Sequence, residues 1–131
     1  MKGLFRIIKF IAPWLFVVWL LLIIVFSSIP KIPEMKLLSY DFGIEIDYVL
    51  HFSEYVGLAF LALLSFHASA RRILDRRVLY ILLFLVIFAV LDESHQLLIP
   101  ARSFNLLDMA SNIVGIFCGI VNAILLIRKA T

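Results

Sequence analysis

FIAPWLFVVWLLLIIVFSSI, residues 10–29, decides the fold of this chain: twenty consecutive residues without a charge. A helix of about 20 apolar residues crosses the ~30 Å hydrocarbon core of a bilayer. Lys2, Arg6 and Lys9 precede the run, as they would in a signal peptide. The run is too long for an ordinary secretory h-region, however. Its end, Phe26-Ser27-Ser28-Ile29-Pro30, has no Ala-x-Ala cleavage pattern. It is therefore expected to be an uncleaved first span, with Pro13 in its first turn, where a missing N–H is tolerated.

Three further apolar stretches follow, at 49–70, 78–99 and 107–127. The four together fill most of the 131 residues, of which 64% are hydrophobic. Ordinary soluble domains hold ~45–50%. With 16% charged residues and a mean hydropathy of +1.10, the chain lacks the polar side chains to cover a soluble 15.0 kDa globule. That excludes a cytosolic enzyme, a disordered tail and a disulfide scaffold. Cys118 is the single cysteine and has no internal partner. The expectation is an all-α, integral membrane four-helix bundle, one domain over 1–131.

A net charge of +3 would in a soluble protein suggest nucleic acid; here it encodes orientation, and no nucleic-acid partner is expected. Nine of the twelve basic residues fall before span one, between spans two and three (Arg71, Arg72, Arg76, Arg77) and after span four (Arg128, Lys129). The other side holds Lys31, Lys36 and Arg102. The positive-inside rule then puts both termini in the cytoplasm. Residues 71–77 become a short cytoplasmic turn and 100–106 a short outer turn. Pro30 to Ile46 becomes a longer outer loop, read as an interfacial lid or a short extended piece.

The nine acids are distributed unevenly. Asp75 alone is in the cytoplasmic turn, and Glu34, Asp41 and Glu45 are in the outer loop. Asp47, Glu54, Asp92, Glu93 and Asp108 sit at or inside the outer ends of spans two, three and four. A charge at mid-bilayer costs roughly 2.5–3.5 kcal/mol, so intramembrane ionisable groups mark sites or pathways. Asp47, His51, Glu54 and Tyr55 share one helical face, as do Asp92, His95 and Gln96, and Asp108 with Asn112. Arg102, in the turn between spans three and four, could clamp Asp108 or Glu93 bidentately. The spacing predicts a polar pocket open to the outer face. Asp47, His51, Glu93, Arg102 and Asp108 are its candidate catalytic groups, with Tyr55, Gln96 and Asn112 as orienters. The alternative is that such groups hold the bundle together through interhelical contacts of about 0.6 kcal/mol each. His67, alone near the cytoplasmic end of span two, reads as structural.

Span four carries Ser111, Gly115 and Gly119 at four-residue spacing, with Asn112 and Asn122 close to the same stripe. Small residues let helix backbones approach, so the stripe reads as packing within the bundle, with homo-oligomerisation as the alternative.

These pieces, in this order, resemble the VanZ-like family of small bacterial membrane proteins. They are Asp47-x-x-x-His51-x-x-x-Tyr55, Asp92-Glu93-x-x-Gln96, Pro100-x-Arg102 and Asp108-x-x-x-Asn112-x-x-Gly115-x-x-x-Gly119. The resemblance runs from about Asp47 to Gly119. The chain departs from it at Tyr48, where the family often has Lys, and at Ala101, where it often has Gly. The resemblance implies a four-span protein of the bacterial cytoplasmic membrane. The family's namesake is associated with teicoplanin resistance, which implies a role in the cell envelope. The ligand would be an envelope lipid, a glycan precursor or a glycopeptide-type molecule.

Three functions are open at this stage. The pocket residues offer general acid/base groups and oxygen and nitrogen ligands for a divalent metal, which would suit an enzyme acting on a lipid-linked envelope precursor. They equally suit a binding module without turnover. A channel is poorly supported, because the inner halves of the spans are almost wholly apolar.

Overall fold

The computed structural model describes residues 2–30, 46–66 and 75–130, with side chains from Arg6 onward. The expected lid with Lys31, Glu34, Lys36, Asp41 and Glu45 lies outside the described residues, as do His67, Arg71 and Arg72. The described residues form four α-helices: α1 (Lys2–Ser27), α2 (Ile46–Phe66), α3 (Arg76–His95) and α4 (Leu106–Ala130). A single 3₁₀ turn, Gln96–Leu98, continues α3, and there is no strand among the described residues. All four helices are long and apolar enough to cross a membrane.

The helix limits differ from the apolar limits for local reasons. α1 begins at Lys2, because the Lys-Gly-Leu-Phe-Arg-Ile-Ile-Lys segment continues helically beyond the apolar run. Pro13 therefore lies inside the helix and not in its first turn, correcting the expectation above. Such prolines are tolerated in membrane helices, where neighbours re-satisfy freed backbone groups. Asp75 caps α3, its carboxylate accepting the Arg77 backbone N–H at 2.9 Å.

Each helix buries one stripe. On α1 it is Ala12, Phe16, Ile23 and Ser27; on α3 it is Val78, Leu85, Ala89 and Asp92, continued by Gln96 in the 3₁₀ turn. The outward faces carry Phe10 (78% exposed) and Trp14 (72%), along with Tyr80, Leu83 and Leu91. A soluble protein does not expose apolar surface on this scale; here hydrocarbon is the solvent. Polar side chains on these faces return their donors to their own helix. Ser53 donates to Val49 O, Ser65 to Leu61 O and Ser94 to Val90 O, each at 2.6 Å.

The tightest pair is not sequential. α2 and α4 pack closely, and they run parallel. Gly115 faces Phe52 and Tyr55, Gly119 faces Val56 and Ala59, so residue numbers rise together on both helices. A Cβ on Gly115 would meet Phe52 O at 2.5 Å, and one on Gly119 would strike Val56 O. Both glycines let backbone meet backbone. The small stripe continues through buried Ala123. Asn122, placed near it by helical spacing, is exposed and donates to Cys118 O.

α1 packs antiparallel on α2. The Phe16 and Phe66 rings meet edge-on at 5.3 Å. Trp19 donates its indole N–H to Glu54 O at 2.8 Å and lies over Gly57, where a Cβ would come within 2.9 Å of the ring. α3 closes the bundle against α4 and, less extensively, against α2 and α1.

Candidate functional site

Polar side chains gather at the end of the bundle where α1 and α3 finish and α2 and α4 begin. The chain builds this end from a turn. After the 3₁₀ segment, Arg102 N–H donates to Ile99 O at 3.2 Å across Pro100 and Ala101. Pro at the second position and φ of 61° at Ala101 give the pattern of a type II turn. The third position of that turn favours glycine, and a Cβ there costs roughly 1 kcal/mol. Ala101→Gly is therefore expected to raise stability by about 1 kcal/mol, read as a higher unfolding midpoint in detergent. A lower midpoint would show that the turn gains more from the methyl group than it loses in strain.

The turn presents Arg102 to the end of α1. Its guanidinium donates to Ile29 O (2.8 Å), Phe26 O (3.1 Å) and Gln96 Oε1 (3.2 Å). The expected clamp on Asp108 or Glu93 is not how these donors are used. Phe26 O also accepts the Ile29 backbone N–H at 3.2 Å, and it and Ile29 O, just beyond the helix, meet the cation at the negative end of α1. Asn105 then starts α4. Its side chain accepts the Leu107 N–H at 2.9 Å, while its own N–H donates to Glu93 Oε1 at 2.9 Å. Glu93 Oε2 faces Gln96 Nε2 at 3.5 Å. One carboxylate thus ties α3, the turn and the start of α4 together.

A second group lies in the α2–α4 seam. His51 Nδ1 donates to Asn112 Oδ1 at 3.1 Å, and His51 Nε2 stands 3.8 Å from Asp108 Oδ2. Both partners are one turn apart on α4, as i and i+4 spacing requires. A third contact joins α2 to α3: Tyr55 Oη donates to Asp92 Oδ2 at 3.0 Å. His51, Tyr55, Asp92, Glu93, Gln96, Asp108 and Asn112 are all buried. Asp47 and Glu54 are half-buried on the flanks of α2. α2 and α4 both direct their N-termini here, and those positive helix ends favour nearby carboxylates.

The structure therefore brings His51, Glu93 and Asp108 together, with Asn112, Tyr55 and Gln96 around them. One ligand atom from each of the first three lies within 4.8 Å of the others. One nitrogen and two carboxylate oxygens form a donor set for a divalent metal. Asp47 is not in this group, and Arg102 reaches it only through Gln96. Ser111, Gly115 and Gly119 lie on α4 along its contact with α2.

Sequence reasoning missed two residues. Asn105 sits immediately before an apolar run, with Asp108 three positions on, which is an N-cap signature. Trp19 has no such signal, since its contact depends on which helix lies beside α1. Beside the polar group, Tyr48, Val49, Phe52, Leu107, Ala110, Ser111 and Val114 line an open, mostly apolar groove of about 380 Å³ between α2 and α4.

Comparison with curated proteins and with solved structures gives no match. The VanZ/LLP1 family model matches residues 10–127, from the first span through the last and including every polar residue of the site. With four helices long and apolar enough to span a bilayer and this match over nearly its whole length, the chain is a multi-pass membrane protein belonging to the VanZ/LLP1 family.

Proposed function

We propose that this protein binds the polar headgroup of a lipid-linked glycan of the cell envelope, at the site formed by His51, Glu93, Asp108 and Asn112. The protein lies in the bacterial cytoplasmic membrane with both termini in the cytoplasm, as its basic residues direct. That orientation puts the site in the outer leaflet, at the depth of headgroups. The observation that carries the reading is the burial of an imidazole, two carboxylates and an amide together, within the terminal two turns of the membrane-spanning helices. Carboxylates accept hydrogen bonds from sugar hydroxyls, and an amide offers both a donor and an acceptor. The adjoining groove is apolar, as a prenyl or acyl chain requires. A glycopeptide of the teicoplanin kind joins polar groups to an acyl tail and is a ligand of the same build.

Catalysis on the same ligand is the second reading, favoured by His51 standing 3.8 Å from Asp108 in a buried setting suited to acid–base chemistry. One experiment addresses both. The full chain is placed in nanodiscs containing a prenyl-diphosphate-linked aminosugar and analysed by native mass spectrometry. Wild type is expected to retain one glycolipid, and Asp108→Asn to retain it about 10-fold more weakly while remaining inserted. Equal retention by both would overturn the proposal. A shortened headgroup formed by wild type alone would make the protein an enzyme.

A further inference from the structure

We infer that His51, Glu93 and Asp108 bind a divalent transition-metal ion of the zinc class. Three observations converge on this assignment. First, one ligand atom from each residue lies within 4.8 Å of the others, and the three residues come from three different helices. Two ligands about 2.1 Å from one ion stand roughly 3.4 Å apart in a tetrahedral arrangement. The 3.8 Å between His51 Nε2 and Asp108 Oδ2 is close to that spacing and too long for a hydrogen bond.

Second, the tautomer suits a ligand. His51 Nδ1 faces the carbonyl oxygen of Asn112 at 3.1 Å, and an oxygen that only accepts pairs with the tautomer protonated at Nδ1. Nε2 is then left with a lone pair, and that lone pair faces carboxylate oxygen. Two acceptors turned toward each other in a buried place require a proton or a cation between them. A histidine that ligates a metal donates its other ring N–H to a carbonyl or carboxylate, which is the role Asn112 fills here.

Third, Asn112 has no exposed surface, and its amide nitrogen has no hydrogen-bond partner among the described residues. Buried amide donors are nearly always satisfied. Three protein ligands leave a coordination position open, and a water or ligand oxygen held there is the kind of acceptor this donor lacks.

Charge points the same way. Glu93 has no exposed surface and Asp108 has 2%. Buried carboxylates are commonly stabilised by a paired charge or a metal. Carboxylates alone would suit Mg²⁺ or Ca²⁺; the imidazole shifts preference toward zinc-like ions.

The test uses the full chain in detergent, without added lipid, so it is independent of the glycolipid reading. The protein is stripped with a chelator and titrated with Co²⁺ and Zn²⁺, with Mg²⁺ as comparison. Wild type is expected to bind about one equivalent of Co²⁺ or Zn²⁺ in preference to Mg²⁺. His51→Ala, Glu93→Gln and Asp108→Asn should each weaken binding about 100-fold, and Asn112→Ala about 10-fold, while Glu54→Gln leaves it unchanged. No stoichiometric ion in wild type, or equal affinity in the three ligand variants, would overturn the site. Should a variant lose its helicity or aggregate, the visible spectrum of wild type with Co²⁺ decides. Bands of a four- or five-coordinate centre support the assignment, and the spectrum of the aqueous ion refutes it.

Discussion

Gly119→Leu should unfold the bundle in detergent, with a loss of about 3 kcal/mol or more. Gly119 meets backbone and not a movable side chain: the Val56 carbonyl, with Ala59 Cβ at 2.8 Å and Phe60 N at 3.0 Å from where a Cβ would stand. Side chains can change rotamer to admit a new group, whereas a helix backbone can only move away as a body. Moving α2 from α4 would also part His51 from Asn112, so stability and the polar site fail together. Val114→Leu, on the exposed face of the same helix, should change stability by less than about 0.5 kcal/mol. The measurement is thermal unfolding followed by helicity and by size-exclusion in detergent. An unchanged midpoint for Gly119→Leu would mean that α2 and α4 do not pack as described.

Arg102→Ala is expected to destabilise the protein by about 2 kcal/mol and to loosen the site. Three bonds go at once, two to the end of α1 and one to Gln96, which in turn faces Glu93. The first two bonds are exposed, which keeps the figure below a buried sum. Arg102→Lys should recover little. An ammonium is a point charge on a flexible stem, and the arrangement here uses a planar fork reaching three acceptors. The readout is the unfolding midpoint of both variants together with glycolipid retention. Full stability in Arg102→Ala would show that the α1 terminus is satisfied by other means. Stability restored by Lys would show that charge alone, and not the fork, secures it.

The four helices were legible because a twenty-residue charge-free run has few meanings in a chain this apolar. Part of the polar grouping was legible too, since i and i+4 spacing puts His51 with Tyr55, and Asp108 with Asn112, on single faces whatever surrounds them, whereas Asp47, expected with them, stands outside the group. The order of the helices around the bundle was not legible. Short connections suggest sequential antiparallel neighbours, yet the closest pair is α2 and α4, joined through glycines that need a particular partner backbone. For the same reason the sequence pointed Arg102 toward the nearest carboxylates. Only the position of α1 reveals the carbonyls at its end, Phe26 O and Ile29 O, as the acceptors that Arg102 uses.

The parallel pairing of α2 with α4 also bears on how the protein is made. α2 begins at Ile46 and α4 at Leu106, so the two starts are separated by about 60 residues of synthesis. At ~5–20 residues per second, α2 waits roughly 3–12 seconds for its partner. During that interval His51 is in the membrane without Asn112, and the carbonyls of Phe52 and Val56 have no glycine face against them. A nascent chain stopped after α3 would therefore present a polar stripe to lipid. Polar groups facing hydrocarbon are costly, and it is the arrival of α4 that withdraws this stripe from lipid.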